Sequence, residues 1–597
     1  MNTATPTLAS PPQQGDDQLR IVVHDQTGYY TFVGIDSAEF NQALPGATAF
    51  SGAPTARVAL ADISKYAGQF GLKDASQELR FNKVSQGINT SFRYQQVYQG
   101  IPVVAGELLV NYDGRGRLAA IAGEVSPNLA ISTTPTVSVD QAKQTALRMV
   151  AAETGIDMAD LEASAPELWI YDARLLMESD FPAHLVWRLE VKPTFLAPVD
   201  YLVLVNARLG AISLAFNQRD TSWGTGQTST SQNRAGLDVS ITLPPKTWSV
   251  SMPATTYNSN HTPSTRGAGS STVVCSTLPA GLSGAGSCDG TSTYSAANAA
   301  QFFAVDTAEY YKVFHNRNSI NNLGMALISN VNYREDASEP YDNAGWTGEE
   351  MVYGDGDFYT VDDVIGHELS HGVTQYESNL FYFYESGAIN EMFSDIFGEF
   401  VDQWNNVNRY GVPDPAADRW LMGEDMAMGA MRNMKTPAAG NPPQPDRTQS
   451  TYFFYWKSTS PYWDNGGVHI NSGVGNKAAY LMTDGGTFNG YTITALGMAK
   501  TSALFYEVNS TLLTGGADYE ALGAALVQAC NNIRSGANPL GMTEADCNEV
   551  SDAVLATQMN IDPVAAFDYT PKAGTCNTGL GPYPYLFNDN FEAGMGN

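Results

Sequence analysis

The sequence predicts a multidomain α+β protein whose first part is rich in strands and whose second part becomes helical. The chain has 597 residues, enough for about four domains of roughly 150 residues, or for one large enzyme with appended modules. Apolar residues make up 43% of the chain, so packed cores are expected and a wholly disordered protein is excluded. Residues 218–234, rich in Ser, Thr, Gly and Gln, form a predicted linker between the two parts.

The first part alternates short strand patterns with turns over residues 20–137. Residues 138–154 predict a helix, with Ser138 as the N-cap and small or apolar residues along one face. Further strand patterns follow at residues 184–189 and 201–205, before the predicted linker.

The second part changes from strands to helices along its length. Residues 235–300 are loop- and strand-rich, residues 294–316 predict one long helix, and helices dominate from residue 357 to about 560. We therefore expect a β-rich half followed by a helical half.

The two ends of the chain predict segments without regular structure. Residues 1–19 are rich in Pro, Gln, Ser and Thr, and we expect them to be disordered. They contain no export signal, and we interpret this beginning as lying after a signal that has been removed. Residues 563–597 are rich in Pro and Gly, and we expect a linker or tail that leads towards a further domain.

The charge of the chain is strongly acidic. It has 32 Lys and Arg against 62 Asp and Glu, which gives a net charge of −30. Nucleic acids and anionic membranes require clustered Lys and Arg, so neither is expected as a partner. No uninterrupted apolar stretch reaches 18 residues, which argues against a membrane-spanning helix. The acidity favours solubility and is compatible with bound calcium.

The cysteines match no zinc-finger spacing; they are Cys275, Cys288, Cys530, Cys547 and Cys576. The first two flank one short Gly-rich loop and the next two flank another. Each pair predicts a disulfide and hence an oxidising compartment, and the alternative is buried free thiols. Cys576 is left over, either free or paired with a cysteine elsewhere.

A metal-binding pattern stands at His367, Glu368 and His371. On a helix, residues i and i+4 share a face, so both imidazoles can reach one metal ion while Glu368 lies beside them. The alternative is a surface helix with two ordinary histidines.

A second helix is predicted to begin about twenty residues after His371. It can supply Glu391 as a third ligand, with Asp395 one turn further on to orient an imidazole. The small and apolar flanking residues disfavour an ordinary solvated helix face. Two histidines and one glutamate leave a fourth position for water, as in catalytic rather than structural zinc sites.

A third segment, residues 464–471, contains Asp464 and His469. Asp464 can hydrogen-bond the imidazole and favour its protonated form. A protonated imidazole near the metal would stabilise an oxyanion, whereas a structural loop histidine is the alternative.

These motifs resemble those of the thermolysin family of zinc metalloendopeptidases. The similarity covers about residues 235–560 and rests on five stretches, namely Asn343-Ala344, 351–357, 363–371, 387–398 and 464–481. It implies a two-lobed catalytic domain, with a β-rich N-lobe over 235–375 and a helical C-lobe over 376–562. The zinc helix would lie on the floor of the cleft between them.

The resemblance also implies a role for each site residue. The zinc ligands would be His367, His371 and Glu391. Glu368 would be the general base that takes a proton from the attacking water and passes it to the leaving amine. The remaining roles would be oxyanion stabilisation by Tyr382 and His469, orientation by Asp395 and Asp464, and binding of the substrate backbone by Asn343, Ala344 and Arg432.

A calcium site is implied by the acidic residues Asp363, Asp402 and Glu424. Leu421 stands where the family's double site has a further carboxylate, so we expect one calcium ion rather than two. The alternative for these acids is plain surface charge.

A hydrophobic specificity pocket is implied by Val364, Met422 and Met431, which match the lining of the pocket on the primed side. We expect a large hydrophobic residue after the scissile bond, although these residues could equally be ordinary core. Gly345 replaces an aromatic residue of the family, so the non-primed side is expected to differ.

The first part resembles the propeptide of the same family. Residues 92–127 are similar to a fungalysin/thermolysin-type propeptide module, which would span 20–137, and residues 138–217 are similar to a PepSY module. This resemblance implies that the first part assists folding and blocks the cleft until the chain is cut within about 218–236.

The sequence as a whole predicts a secreted zinc endopeptidase zymogen that acts on protein and peptide substrates. Its expected cofactors are Zn²⁺ and Ca²⁺, and its own propeptide is the expected inhibitor and folding aid. Two alternatives remain: an inactive protease-like binding or adhesion protein, and an aminopeptidase of the same zinc class.

Overall fold

The computed structural model describes residues 19–35, 43–48, 53–195, 197, 199–221, 253–262, 272–277, 296–334, 341–354, 359–405, 415–426, 429–455, 464–536 and 538–563. Within them lie an eleven-stranded sheet, a six-stranded sheet and two short two-stranded ribbons. Helices are concentrated towards the end of the chain. The predicted α+β architecture is therefore confirmed.

The N-terminal region, residues 19–217, holds the eleven-stranded sheet. Its strands are β1 (Leu19–Val23), β2 (Tyr30–Ile35), β3 (Leu79–Gln86), β4 (Thr90–Tyr98), β5 (Ile101–Tyr112), β6 (Leu118–Ala122), β7 (Leu161–Ala163), β8 (Glu167–Tyr171), β9 (His184–Pro193), β10 (Tyr201–Asn206) and β11 (Ile212–Asn217). Three helices pack on these strands: α1 (Ala56–Tyr66), α2 (Ala75–Glu78) and α3 (Val139–Thr154).

The sheet of the N-terminal region has two halves, β1–β6 and β7–β11. They are joined where β5 runs parallel to β8, with Val103 opposite Ile170. The helix predicted after residue 137 is α3, which Ser138 caps together with Gln141 in a capping box. It ends at Gly155, whose φ of 73° is the left-handed conformation that glycine adopts readily.

The C-terminal region, residues 253–563, begins with the six-stranded sheet. Its own strands are β13 (Ala254–Thr262), β14 (Thr272–Thr277), β15 (Leu327–Tyr333), β16 (Ala344–Trp346) and β17 (Met351–Gly354). The sixth strand, β12 (Asp220–Thr221), comes from the linker and forms the edge beside β16. It runs antiparallel to β16, with Asp220 opposite Trp346 and Thr221 opposite Gly345.

Helices make up most of the rest. They are α4 (Ala296–His315), α5 (Asp362–Tyr376), α6 (Tyr384–Asn405), α7 (Asp464–Asn471), α8 (Gly473–Asp484), α9 (Met498–Glu507), α10 (Tyr519–Ser535) and α11 (Glu544–Ala556). A π-helical turn, Val508–Leu512, continues α9. The ribbons are β18 (Leu421–Met422) with β19 (Arg432–Asn433), and β20 (Gly486–Phe488) with β21 (Tyr491–Ile493).

Helices α5 and α6 lie against each other in the core of the C-terminal region. Every residue of α6 is buried, as expected of a helix that is surrounded on all sides. A Cβ atom on Gly366 would lie 3.0 Å from the Cα atom of Gly398, so glycine at this crossing lets the two backbones approach closely. Side chains from both helices can therefore converge on one point.

One predicted disulfide is present, between Cys530 of α10 and Cys547 of α11. The other predicted pair includes Cys288, which lies outside the described residues together with Cys576. The same holds for most of the predicted maturation segment, since residues 222–250 are not described.

Candidate active site

Three potential ligand atoms from α5 and α6 converge at the helix crossing. The Nε2 atoms of His367 and His371 lie 2.9 Å apart. The Glu391 carboxylate completes the group, with Oε2 3.5 Å from Nε2 of His367 and Oε1 3.3 Å from Nε2 of His371. All three side chains are fully buried. Among the described residues, this is the one group of three or more His, Cys, Asp or Glu whose ligand atoms lie within 4.8 Å of one another.

The spacing of the two Nε2 atoms and the Glu391 carboxylate fits a tetrahedral zinc ion. Zinc bonds of about 2.0–2.1 Å imply ligand-to-ligand edges of about 3.3 Å. The observed separations of 2.9, 3.3 and 3.5 Å lie close to that value. A direct contact between two imidazole Nε2 atoms is also a poor arrangement without a shared cation. The donor set and its geometry therefore suit one zinc ion.

The outer nitrogen of each histidine is held by a partner on α6. Nδ1 of His367 lies 2.9 Å from Oδ1 of Asp395, as predicted. Nδ1 of His371 lies 2.9 Å from Oδ1 of Asn390, a contact the sequence analysis did not predict. Such contacts fix the tautomer and the ring orientation, so that Nε2 is presented to a metal.

Asp395 is itself held by two further residues. Arg432 donates from Nε to Oδ2 at 2.9 Å and from Nη2 to Oδ1 at 2.5 Å, and Asn476 donates to Oδ2 at 2.8 Å. Burial raises the pKa of Asp395, but the charges of Arg432 and His367 outweigh it and hold the pKa below its usual range. Asp395 is therefore a fixed carboxylate.

Glu368 lies next to His367 on α5 and is fully buried. The Tyr353 hydroxyl lies close enough for the Glu368 carboxylate to influence its titration. Burial raises the pKa of Tyr353 well above its usual value, and the negative charge of Glu368 raises it further. A buried carboxylate beside the ligand histidines is what a general base requires.

Tyr382 and His469 approach the same oxygen of Glu391 from the other side. The Tyr382 hydroxyl donates to Oε1 of Glu391 and lies 3.2 Å from Nε2 of His469. Nε2 of His469 lies 3.4 Å from Oε1 of Glu391. The structure thus brings the two predicted oxyanion-binding groups together beside the ligand cluster.

Asp464 lies against the imidazole of His469. Its Oδ1 lies 2.5 Å from Nδ1 of His469, and its Oδ2 accepts the backbone N–H of His469 at 3.0 Å. Burial lowers the pKa of His469, but the charges of Glu391 and Asp464 raise it to about 9 in net effect. Gly466 and Gly467, with φ of 90° and 84°, form the tight turn that brings Asp464 back over the ring.

The residues predicted to bind substrate lie around this cluster without forming one surface. Ala344 is in β16 beside the linker strand β12, and its N–H donates to Oδ1 of the preceding Asn343 at 2.9 Å. Arg432 binds Asp395. The three predicted pocket residues are almost fully buried; they are Val364, Met422 and Met431.

A cavity of about 420 Å³ lies beside the cluster, between the N-terminal and C-terminal regions. Tyr382 and Asn390 line it from the site, and Gln218 and Arg219 line it from the beginning of the linker. Arg219 is held by Asp200, with Nη2 2.7 Å from Oδ2. The linker therefore enters the C-terminal region next to the site.

The residues predicted to bind calcium lie near the outer ends of α5 and α6. Oδ1 of Asp363 accepts the N–H of Val364 at 2.7 Å, and Oδ2 accepts the N–H of Gly423. Oε2 of Glu424 is buried and has no hydrogen-bond partner. Together with Asp402, these residues do not form a group as compact as the histidine cluster among the described residues.

Comparison with known proteins identifies the family. Residues 223–375 match the profile of the thermolysin metallopeptidase catalytic domain, and residues 378–554 match that of its alpha-helical domain. Residues 79–125 match the fungalysin/thermolysin propeptide motif. Thermolysin of Alicyclobacillus acidocaldarius subsp. acidocaldarius is 34% identical over 494 residues, which cover 78% of this chain and 83% of that protein. The chain belongs to the thermolysin family.

A second relative agrees with this assignment. Bacillolysin of Bacillus cereus is 32% identical over 527 residues, which cover 82% of this chain and 87% of that protein. A solved structure, the precursor of protealysin from Serratia proteamaculans, is 27% identical, with a TM-score of 0.40 over 53% of this chain and 89% of that one. Within the described residues, no helix is long and apolar enough to cross a membrane.

The prediction of function is thereby confirmed. The protein is a zinc-dependent endopeptidase of the thermolysin family that is made as a zymogen, and the propeptide motif lies within β3–β6 of the N-terminal region. The alternatives, an inactive binding protein and an aminopeptidase, are not favoured.

Proposed function

We propose that this enzyme cleaves internal peptide bonds with a zinc ion held by His367, His371 and Glu391. The observation that carries the proposal is the convergence of the two Nε2 atoms, 2.9 Å apart, on the Glu391 carboxylate, one of whose oxygens lies within 3.5 Å of each nitrogen. When bound, zinc makes water a nucleophile at neutral pH and polarises the scissile carbonyl.

The side chains of this chain supply the proton transfer and the charge stabilisation. Glu368 accepts a proton from the attacking water and donates it to the leaving amine. The Tyr382 hydroxyl and the protonated His469 donate hydrogen bonds to the oxygen that becomes negative in the transition state. Asp464 keeps His469 protonated and directed at that oxygen, because it accepts from Nδ1.

Three further residues keep the ligands in place. Asn390 and Asp395 bind Nδ1 of His371 and of His367, and Arg432 balances the buried charge of Asp395. Arg432, Asn343 and Ala344 are proposed to contact the substrate backbone as well. We propose that Val364, Met422 and Met431, which are buried and apolar, lie beside the position of the residue after the scissile bond and favour a hydrophobic side chain there.

We further propose that the N-terminal region is the inhibitory propeptide, with modules 20–137 and 138–217. Its support is β12, the linker strand at residues 220–221, which is paired with β16 and lies against α5. An extended chain at this sheet edge excludes a substrate strand from the same position. Cleavage within about 218–236 would free the two lobes, 235–375 and 376–562.

The remaining proposals concern calcium and location. One calcium ion bound by Asp363, Asp402 and Glu424 would satisfy the buried Glu424 oxygen that has no hydrogen-bond partner. The disulfide between Cys530 and Cys547 supports a secreted protein, because disulfides persist in oxidising compartments.

The test is intact mass over time, with zinc and calcium present, for the parent chain and for Glu368→Gln. We expect a cut within about 218–236 in the parent and none in the variant, because only the parent has the base. The trypsin-activated variant should retain zinc and cleave an end-blocked peptide about 10²–10⁴-fold more slowly than the activated parent.

The end-blocked peptide also separates the alternatives. An aminopeptidase would leave it intact and would hydrolyse the same peptide with a free amino terminus. A protein that remains inactive after trypsin removes the N-terminal region, while binding zinc normally, would contradict the proposal.

A further inference from the structure

The N-terminal region contacts two irregular backbone segments of the helical lobe. The first, residues 376–383, connects α5 to α6 and carries Tyr382. The second, residues 511–516, comprises the last two residues of the π-helical turn and the first part of the connection to α10. The two segments adjoin, since the N–H of Phe381 donates to the carbonyl oxygen of Gly515 at 2.8 Å. In neither segment are all the backbone N–H and C=O groups hydrogen-bonded within a helix or a strand.

Lys83 of β3 supplies the partner for the first segment. Its Nζ donates to the carbonyl oxygens of Tyr376 and Glu377, at 3.0 and 2.6 Å. These carbonyls stand at the C-terminal end of α5, where helix carbonyls lack partners and where a positive charge interacts favourably with the helix dipole. A lysine of the N-terminal region thus caps the helix that carries His367, Glu368 and His371.

Three side chains of β4 and β5 supply the partners for the second segment. Ser91 donates to the carbonyl oxygen of Thr511 at 2.6 Å, and Nη2 of Arg93 donates to that of Leu513 at 2.8 Å. Oε2 of Glu107 accepts the N–H of Gly515 at 3.0 Å and also binds Nη1 of Arg93 at 2.6 Å. Ser91 and Arg93 are buried, so these contacts replace water.

The contacts form a continuous path towards the candidate catalytic tyrosine. Glu107 holds the N–H of Gly515, the carbonyl of Gly515 holds Phe381, and Tyr382 follows directly in the chain. Lys83 holds the other end of the same connecting segment. An unpaired buried backbone group costs free energy, so these partners favour one conformation of the segment while the lobe is folding.

We propose that Lys83, Arg93 and Glu107 are positioning residues through which the N-terminal region shapes the segment that carries Tyr382 into the site. This deepens the proposed function, because it names the contacts by which the propeptide assists folding. The mature enzyme lacks these residues after cleavage, so their effect is confined to how the active lobe forms.

The first test uses the uncleaved Glu368→Gln chain and requires neither processing nor catalysis. Hydrogen exchange is compared between this chain and copies that also carry Lys83→Met or Arg93→Met. We expect amides of residues 376–383 and 511–516 to exchange at least about tenfold faster in the double variants, as loss of charge-assisted hydrogen bonds implies. Lys83→Arg should restore protection, and Lys73→Met, on an exposed lysine of the same region, should have no effect.

The second test measures the yield and kinetics of processed enzyme from otherwise unaltered chains. Lys83→Met should lower the yield of active enzyme several-fold, whereas kcat and KM per zinc-loaded molecule should equal those of the parent. Unchanged exchange in both segments would overturn the proposal, and so would faster exchange spread evenly to α11. Inactivity after trypsin removes the N-terminal region would contradict the proposed function alone, because the exchange measurement does not depend on activity.

Discussion

Helices α5 and α6 carry two clusters of ionisable side chains that differ in how their charge is balanced. At the histidine cluster, burial raises the pKa of Glu391, but the charges of His469, His371 and His367 hold it well below its usual range. Asp395 is held low in the same way by Arg432 and His367. At neutral pH the positive charge beside these buried carboxylates comes from His469 and Arg432, because burial lowers the pKa of His367 to about 4 and leaves that imidazole neutral.

The acidic cluster near the outer ends of the helices consists of Asp362, Asp363 and Glu424. The pKa values of its carboxyl groups are raised rather than lowered. Burial, together with neighbouring carboxylates, raises the pKa of Asp362 to about 8, that of Asp363 to about 7 and that of Glu424 to about 12. These carboxylates are buried among one another, and the protein does not balance their charge fully. A bound cation would balance it.

The contrast is between a cluster whose side chains the protein holds in place by itself and a cluster whose carboxylates lack a full counter-charge. The ligand atoms at the histidine cluster already stand at tetrahedral spacing, because hydrogen bonds to Nδ1 fix both rings. Substitutions in this cluster should therefore lower catalytic activity or zinc affinity, with little effect on the free energy of unfolding. Substitutions in the acidic cluster should change the free energy of unfolding and its dependence on calcium.

The largest effect among these variants is expected from His469→Gln. Loss of one donor to the developing oxyanion lowers kcat by about 10²–10³-fold in comparable sites. The variant should keep its zinc, because His469 contacts Glu391 without belonging to the ligand group. The measurement is kcat and KM on an end-blocked peptide, together with zinc content.

A matched control for this variant is His184→Gln. His184 lies in the N-terminal region, which processing is expected to remove, so the mature enzyme should be unchanged. A His469→Gln enzyme with normal kcat would show that His469 is a structural loop residue and would remove the proposed role of Asp464.

The sequence predicted that the side chains of His367, His371 and Glu391 come together and that carboxylates lie beside the imidazoles. The i,i+4 spacing of His367 and His371 and the helix that begins before Glu391 imply convergence, and the structure brings these residues together. Asp395 and Asp464 also lie where their spacing predicts. The predicted helix after residue 137 is present with its predicted cap.

Other contacts could not be predicted from a pattern in the sequence. Asn390 binds His371, but an asparagine beside a glutamate is common on any helix, and its position just before Glu391 was the one available signal. Arg432 binds Asp395 because a buried carboxylate needs a counter-charge. The sequence around these two residues does not indicate that they pair. Strand β12 has two residues, too few for any periodicity. Lys83 caps the C-terminal end of α5, although the two are nearly 300 residues apart in the chain. Only the tertiary fold creates this contact.

A smaller effect is expected from Asn390→Ala, which removes the partner of His371. Loss of such a supporting hydrogen bond weakens zinc binding by about 10–100-fold, because the ring loses its fixed orientation and tautomer. Competition with a chelator of known affinity measures it, with Gln375→Ala on α5 as the control. An unchanged zinc affinity would mean that Glu391 and helix packing alone fix the ring.

The smallest effect is expected at the acidic cluster, where calcium should stabilise the enzyme without changing its chemistry. At about 100 times its Kd, a bound ion adds about 2.7 kcal/mol to the free energy of unfolding. Each kcal/mol raises Tm by about 2–4 °C in a domain of this size. Thermal unfolding of Glu368→Gln, which does not digest itself, measures the effect with and without calcium.

Asp363→Asn in the same background decides whether this gain comes from the acidic cluster. The variant should lose most of the calcium-dependent increase in Tm, because a carboxylate ligand has become a neutral amide. Without calcium two effects oppose each other in this variant: a carboxylate that repels its neighbours is removed, but the amide can accept only one of the two backbone N–H groups, of Val364 and Gly423, that Asp363 accepts. The deciding quantity is therefore the change in Tm that calcium produces within each variant. Glu544→Gln, on a side chain that is 67% exposed, should keep the full calcium response. Equal Tm values with and without calcium in the parent would show that protons or solvent already balance this cluster, and would leave the histidine cluster as the sole metal site among the described residues.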